Sequence, residues 1–385
     1  MPALPSFTDF MKITGPAIVT KPEDFVNEAV NSTYTLKALI EGRGKAKVLK
    51  GGSSLRDFLM FDDGSTAQFY TPGQSFSYTN PQVMEQTDAP WRFVIDFETW
   101  NDETIELNAG ADMTSGARAQ KYKDYKRIIE QRVLTSLLNK LENDWLWASP
   151  HGNTSSIEST TGDTPYPIAA FINEETYSLP YGWTTVQGLN PTSNDKWRCQ
   201  QVQYDYNDIN DASNDFGGLL DAFEDMKHSA QFDSVPMAGL DASETDNTRR
   251  IIVTNKQGMK SYKKVLRERN DLLLGNRQDG SYPKPEFDGI PVLYSSRLNT
   301  AALYPSSSAG TYVAWDAATV TNKGPRFYWI DMDWLFPYFH ESNYFKKLDA
   351  FHPSAQPTSW IRPVRSYCQL FCRSRRRLGI VYPGA

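Results

Sequence analysis

Cysteine is scarce: Cys199, Cys368 and Cys372 are the only three in 385 residues. The last two stand too close on one strand for an easy bridge, and no paired CxxC motifs exist to hold zinc. Reduced thiols in an intracellular assembly site are expected. Histidine is nearly as rare. His151, His228, His340 and His352 are scattered, and His340-Glu341 lacks the second histidine of an HExxH site. No run of about 18 apolar residues exists to cross a membrane as a helix. The opening MPALPSFTDF has no apolar run behind a basic end, so no signal peptide is expected. There is no GxSxG elbow for a serine hydrolase. A partial phosphate loop at Gly42, Gly44 and Lys45 fails, because Ala46 stands where Ser or Thr must hold magnesium and Leu39 where the first Gly belongs. Basic charge is not in excess: Lys and Arg total 40 against 46 Asp and Glu, a net charge of −6, which argues against a dedicated nucleic-acid binder. These absences leave no cofactor or metal to expect.

Aromatic residues, in contrast, are abundant, with 10 Trp, 20 Tyr and 20 Phe. Such an excess serves wide packed surfaces between subunits, or sugar-stacking sites. The length allows two or three domains. From Met113 to Ala148 the chain has no Pro, and no Gly beyond Gly116. Tyr122, Tyr125, Ile129, Leu134, Leu137 or Leu138, Leu141 and Trp145 recur at steps of three and four. Lys121, Asp124, Glu130, Arg132 and Lys140 fill the opposite face. Thr114 or Ser115 is the expected cap, and Ser149-Pro150 the stop. About 30 helical residues make a rod on the order of 45 Å long.

Around this rod the pattern changes by region. Residues 1 to about 44 are broken by Pro2, Pro5, Pro16 and Pro22 yet carry Phe7, Phe10, Ile13 and Ile18, too apolar for a free tail. They are expected to form an arm, with a short helix from Pro22. From Lys45 to about Asn108 turn signals at Gly51-Gly52, Asp63-Gly64, Thr71-Pro72-Gly73 and Asn80-Pro81 separate strands. There Trp91, Phe93, Ile95 and Phe97 alternate with Arg92, Val94, Asp96 and Glu98. Residues 150 to about 214 are polar and turn-rich. The chain then turns α/β: Phe216, Leu219, Leu220, Phe223 and Met226 share a helix face, and 251–253 reads as a buried strand. Asn255 caps a helix carrying Met259, Tyr262, Val265 and Leu266, and 289–294, 326–330 and 364–372 read as strands.

Apolar arm, aromatic hairpin, long helix, α/β region and returning strand resemble, in that order, the major capsid proteins of tailed bacteriophages with the HK97 fold. VLKGGSSLRDFLMFDD (48–63) followed by APWRFVIDFETWN (89–101) is similar to their extended loop. WTTVQGLNP with DKWRCQQVQ (183–203) resembles the linking segment. RRIIVTNKQGMKSYKKVL (249–266) with EFDGIPVLYSS (286–296) resembles the axial domain, and SYCQLFCRSRRRLGIVYPG (366–384) the closing segment. The resemblance implies an α+β fold. Its parts would be an N-terminal arm at 1–44, an extended loop at 45–108, a peripheral domain with its spine helix at 109–164, an axial domain at 165–345 and a return to the peripheral domain at 346–385. It further implies a structural protein rather than an enzyme. The chain would self-assemble as pentamers and hexamers into an icosahedral head around double-stranded DNA, without sequence-specific DNA binding, cofactor or membrane. Expected partners are the chain itself, a portal protein, a separate scaffolding protein and a cement or decoration protein. The expected location is the virion shell, assembled in the host cytoplasm. Encapsulin-type compartments share this fold. Some members crosslink a loop Lys to a neighbour. Here Lys45, Lys47 and Lys50 lie near the hairpin base and 58–86 has no Lys, which argues against that chemistry.

On this reading Phe58, Met60, Phe61, Phe69, Tyr70, Phe76 and Tyr78 are hairpin contacts to a neighbour, and Phe7, Phe10, Ile13 and Ile18 those of the arm. Arg373, Arg375, Arg376 and Arg377 are interface charges suited to a neighbour's carboxylates. A solvated end and genome contact are the other readings of that cluster. The enzymatic alternative is a glycoside hydrolase. It would use Asp96 with Glu98, or Asp331 with Asp333, and Trp329 and Trp334 would stack sugars; such chemistry needs two carboxyls roughly 5–9 Å apart across a cleft.

Overall fold

A computed structural model describes residues 47–60, 69, 71–72, 84–101, 103, 115–147, 165–173, 185–205, 218–230, 250–269, 285–299, 304–305, 312–313, 324–354 and 358–384. In chain order these form β1 (Lys47–Leu49), β2 (Ser54–Met60), β3 (Met84–Pro90), β4 (Arg92–Asn101), α1 (Ser115–Leu141), α2 (Ile168–Phe171), β5 (Gln200–Tyr204), α3 (Leu219–Ser229), β6 (Arg250–Thr254) and α4 (Lys256–Arg269). Then come β7 (Glu286–Phe287), β8 (Ile290–Tyr294), β9 (Tyr304–Pro305), β10 (Tyr312–Val313), β11 (Phe327–Asp331), β12 (Leu335–His340), β13 (Lys346–Lys347), β14 (Ser359–Cys372) and β15 (Gly379–Pro383).

Two sheets carry the fold. In the five-stranded sheet, β14 is central, with β4 antiparallel on one edge and β12 and β13 on the other; β1 lies outside β12. The six-stranded sheet has the order β5-β15-β11-β6-β8-β7. Its central strands are buried on both faces, which is why they read as continuous apolar runs. Ile252, Phe327, Trp329 and Val381 meet α3 and α4, whereas Ile251, Val253, Tyr328 and Ile380 join the main core shared with the five-stranded sheet. Phe223 of α3 anchors the helical side, its ring 5.0 Å from Phe327 and 5.3 Å from Trp329. The crossover between β14 and β15 carries the chain from one sheet to the other. The end of the segment expected to stay with the peripheral part, 346–385, therefore pairs inside the six-stranded sheet, against β5 and β11. In the other direction β12, expected within the axial part, belongs to the five-stranded sheet.

α1 packs along β4 and β14. Its buried row is Ile129, Val133, Leu137, Leu141 and Trp145, a strict four-residue step. Leu134, expected on that face, is 51% exposed, and Val133 takes its place against Val94 and Val364. The rod also ends differently from its expected span. After Leu141 one wide π turn covers Glu142–Leu146, closed by the Trp147 N–H on the Glu142 carbonyl at 3.2 Å. The extra residue in that turn lets Trp145, Leu146 and Trp147 all reach the core, where three successive α-helical residues fan out over about 200°.

α4 starts as the sequence indicates: the Asn255 carboxamide oxygen accepts from the Gly258 N–H at 2.7 Å. Gly258 has a second constraint. A Cβ there would sit 2.0 Å from Thr254 Oγ1 and 3.1 Å from Pro325 Cβ. Thr254 Oγ1 cannot yield cheaply, because it is buried and donates to the Arg326 carbonyl at 2.8 Å. Gly258→Ala is expected to destabilise the chain by about 1–3 kcal/mol, read as a lower midpoint in denaturant unfolding.

Candidate assembly surfaces

β2 and β3 pair in register from Ser54–Pro90 to Met60–Met84, as a two-stranded ribbon with no third strand among the described residues. Its base is fixed to the rest of the chain. Leu55, Thr87 and Ala89 are buried on one face. The Asp88 N–H donates to the Gln187 carbonyl at 3.0 Å, Asn194 Nδ2 to Glu85 Oε2 at 3.0 Å, and Trp91 Nε1 to the Gly52 carbonyl at 3.0 Å. Arg373 Nε completes this set at 2.7 Å from Asp57 Oδ2. The opposite face of the ribbon is open. Phe58 is 63% exposed and Met84 50%. Together with Glu85, Gln86, Gly188 and Leu189 they line an open groove of about 670 Å³. Phe69 is wholly exposed. Met60 closes the described register opposite Met84. Phe61, Tyr70, Phe76 and Tyr78, and the arm residues Phe7, Phe10, Ile13 and Ile18, lie outside the described residues.

The alternation along β4 is real, but its faces are the reverse of the usual arrangement. Phe93 and Ile95 point away from α1 and are exposed, whereas Arg92, Glu98 and Trp100 are buried. Glu98 is accommodated by cations from elsewhere in the chain. Lys347 Nζ lies 3.3 Å and Arg362 3.3 Å from its two carboxylate oxygens, and both cations also reach Glu130 of α1, at 2.9 and 3.7 Å. Burial works against the Lys347 charge, but the hydrogen bond to Glu130 and the field of Glu98 outweigh it and hold its pKa above the usual lysine value. Lys126 and Arg362 both lie over the Trp100 ring, 5.1 and 5.4 Å from its centre. Two acids, two bases and an indole thus bind α1 to the sheet.

The four arginines of the crossover have different environments. Arg373 is exposed, pairs with Asp57 and lies 5.9 Å over Phe336. Arg376 is exposed, and Arg377 stacks 5.4 Å over Trp334. Arg375 corrects the expectation of four interface charges. It is buried within its own subunit, with Nε donating to the Phe171 carbonyl at 3.0 Å and an Nη to the Trp197 carbonyl at 3.2 Å. Burial depresses its pKa, partly offset by the neighbouring Cys199 and Cys372 sulfurs. The thiols themselves are free and buried, and burial pushes Cys368 and Cys372 up to about 12, so neither is a ready nucleophile.

Two carboxylates of the glycosidase alternative, Asp331 and Glu98, are buried. Asp331 is buried 3.5 Å from Arg250 Nε and accepts the Asp333 N–H at 2.9 Å; burial raises its pKa, against the pull of that bond and of Arg250. Trp329 is fully buried in the α3 cluster and Trp334 lies under Arg377. Glu98 is enclosed in the network on α1. The structure gives that alternative no support. No cluster of potential metal ligands occurs among the described residues.

No protein-family model matches the sequence, and no curated protein does. The fold, however, is shared with solved capsids from end to end. The chain is similar to the capsid of an empty GTA particle computed with C5 symmetry, at 11% identity and a TM-score of 0.55 over 96% of this chain and 97% of that one. The capsid of the native GTA particle gives a TM-score of 0.54 at 11% identity over the same shares. The capsid of cyanophage A-1(L) gives 0.53 at 13% identity, over 96% of this chain and 98% of that chain. The chain therefore has the α+β fold of phage-type capsid proteins, the architecture that the order of its segments implied.

Proposed function

We propose that this chain is the major capsid protein of a tailed bacteriophage, assembling as pentamers and hexamers into an icosahedral head around double-stranded DNA. The observation that carries the reading is the fold likeness to solved capsids over nearly all of both chains. The open ribbon and the outward apolar face of β4 support it, since both need a partner surface. Phe58, Met60, Phe61, Phe69, Tyr70, Phe76 and Tyr78 would meet a neighbour through the ribbon, and Phe7, Phe10, Ile13 and Ile18 through the arm. Arg376 and the outer sides of Arg373 and Arg377 would meet carboxylates of that neighbour. Obligate interfaces of several thousand Å² suit a thin wall that must resist its contents. The negative net charge suits a lining that does not grip its genome, because every phosphate contact would add salt-dependent affinity and oppose release. A portal, a separate scaffolding protein and a cement protein complete the proposed partners, with assembly in the host cytoplasm. Sedimentation and negative-stain imaging of the purified protein test it. The expected result is particles built of five- and six-fold rings; a single species at the 43.7 kDa of one chain would refute it.

A further inference from the structure

β4 carries a short edge that fits itself. The Leu348 N–H donates to the Pro363 carbonyl, and Phe351 and Ile361 exchange both backbone bonds, so the odd residues of this part of β14 face away from β4. Since Phe97 lies opposite Pro363 and Thr99 opposite Ile361, the odd residues of β4 turn their own N–H and C=O groups to the outer edge. At Phe97 the chain closes that edge itself. The Asp96 carboxylate accepts the Phe97 N–H at 2.7 Å, and Arg132 donates to the Phe97 carbonyl at 3.0 Å. At the other end Trp91 is buried and tied to Gly52. Between these stops Phe93 and Ile95 present their backbone groups with no strand beside them among the described residues, and their side chains are 64% and 52% exposed.

We propose that residues 93–95 of β4 pair antiparallel with the same residues of a second copy across a two-fold axis. This inference rests on the shell reading and names one contact within it. In that register Phe93 of each copy lies opposite Ile95 of the other, and the outward N–H and C=O of both residues are satisfied on both chains. No like charges meet at the flanks, since Arg92, buried in its own subunit, falls across from Asp96. A longer foreign strand would meet the Asp96 and Arg132 closure at Phe97. The identical window of a second copy ends where this one does. Val94 falls on the axis, in the close non-hydrogen-bonded position, where Cα atoms stand about 4.5 Å apart.

That position supplies the test. Val94→Cys, in the assembled protein under mild oxidation, is expected to give a reducible covalent dimer, because two cysteines at that spacing bridge without backbone movement. The native thiols are buried and give little background. Leu134→Cys, at an exposed site on α1, is the control and is expected to stay uncrosslinked. Ile95→Pro removes an N–H that β14 does not use, and edge strands tolerate proline. It is expected to leave the circular dichroism unchanged and to weaken association by roughly tenfold or more, while Ile95→Val associates normally. Dimer yield from Val94→Cys no higher than the Leu134→Cys control, or undiminished association of Ile95→Pro, overturns the proposal. If shells form without the Val94→Cys dimer, this contact is wrong and the shell reading stands. If the dimer forms from a protein that never exceeds two copies, the contact stands and the shell reading falls.

Discussion

Phe58→Asp yields a soluble, helical subunit that no longer assembles: this is the largest effect expected of any single substitution in the ribbon. Phe58 contributes nothing to either core cluster, and its ring is already 63% exposed in the subunit. A carboxylate there therefore costs the isolated chain little. The ribbon base keeps Leu55 and Ala89 buried and its bonds to Gln187, Asn194 and Arg373, none of which involves Phe58. In the shell the same carboxylate has to enter an apolar contact without a partner, at a cost of several kcal/mol. The cost recurs at every copy, so a particle of many subunits is blocked by a penalty that a simple dimer would survive. Phe58→Leu, which keeps the apolar surface, is expected to assemble. Circular dichroism with sedimentation distinguishes the outcomes. Normal particles from Phe58→Asp would remove the ribbon from the interface, and an unfolded, insoluble chain would place Phe58 in a core instead.

What the sequence made legible divides by the range of the forces involved. The Asn255 cap and the α3 face of Leu219, Phe223 and Met226 depend on neighbours a turn away, and they lie where local pattern put them. The choice between Val133 and Leu134 is finer. Both are apolar, they differ by about 100° of helix rotation, and only the position of β14 against α1 selects Val133. On β4 the period of two identified a strand, but not the covered face. The usual rule would bury Phe93 and Ile95; α1 instead covers the polar side, because Lys347 and Arg362 arrive from β13 and β14 to neutralise Glu98. Those cations are distant in sequence, so nothing near Glu98 announces them. In the same way the run RSRRR reads from composition as a set of interface charges, and only the turn between two sheets buries one of its members, Arg375.

Arg375→Ala is the second large effect expected, this time on the subunit itself. The guanidinium sits where the crossover from β14 to β15 meets the end of α2 and the turn before β5, and its fork holds one carbonyl from each. Among the described residues no carboxylate pairs with it, so its stabilisation comes from those carbonyls and from nearby sulfurs. The surrounding polar groups form a continuous set. The Tyr166 N–H donates to Gln369 Oε1 at 2.8 Å, Gln369 Nε2 to the Pro90 carbonyl at 2.7 Å, and the Gln187 N–H to the Tyr166 hydroxyl at 3.3 Å. Truncation to Ala leaves two buried carbonyls unsatisfied and opens a cavity, a loss of roughly 3–5 kcal/mol. Lys cannot span both carbonyls with one ammonium, so Arg375→Lys should fall between Ala and the parent. Arg376→Ala removes an equal charge from the exposed neighbour and should change stability by no more than about 0.5 kcal/mol. Thermal unfolding of the three variants decides the assignment. A drop for Arg375→Ala no greater than for Arg376→Ala would mean that Arg375 faces outward, as an interface charge after all. A large drop, with Lys intermediate, assigns it to the joint between the two sheets.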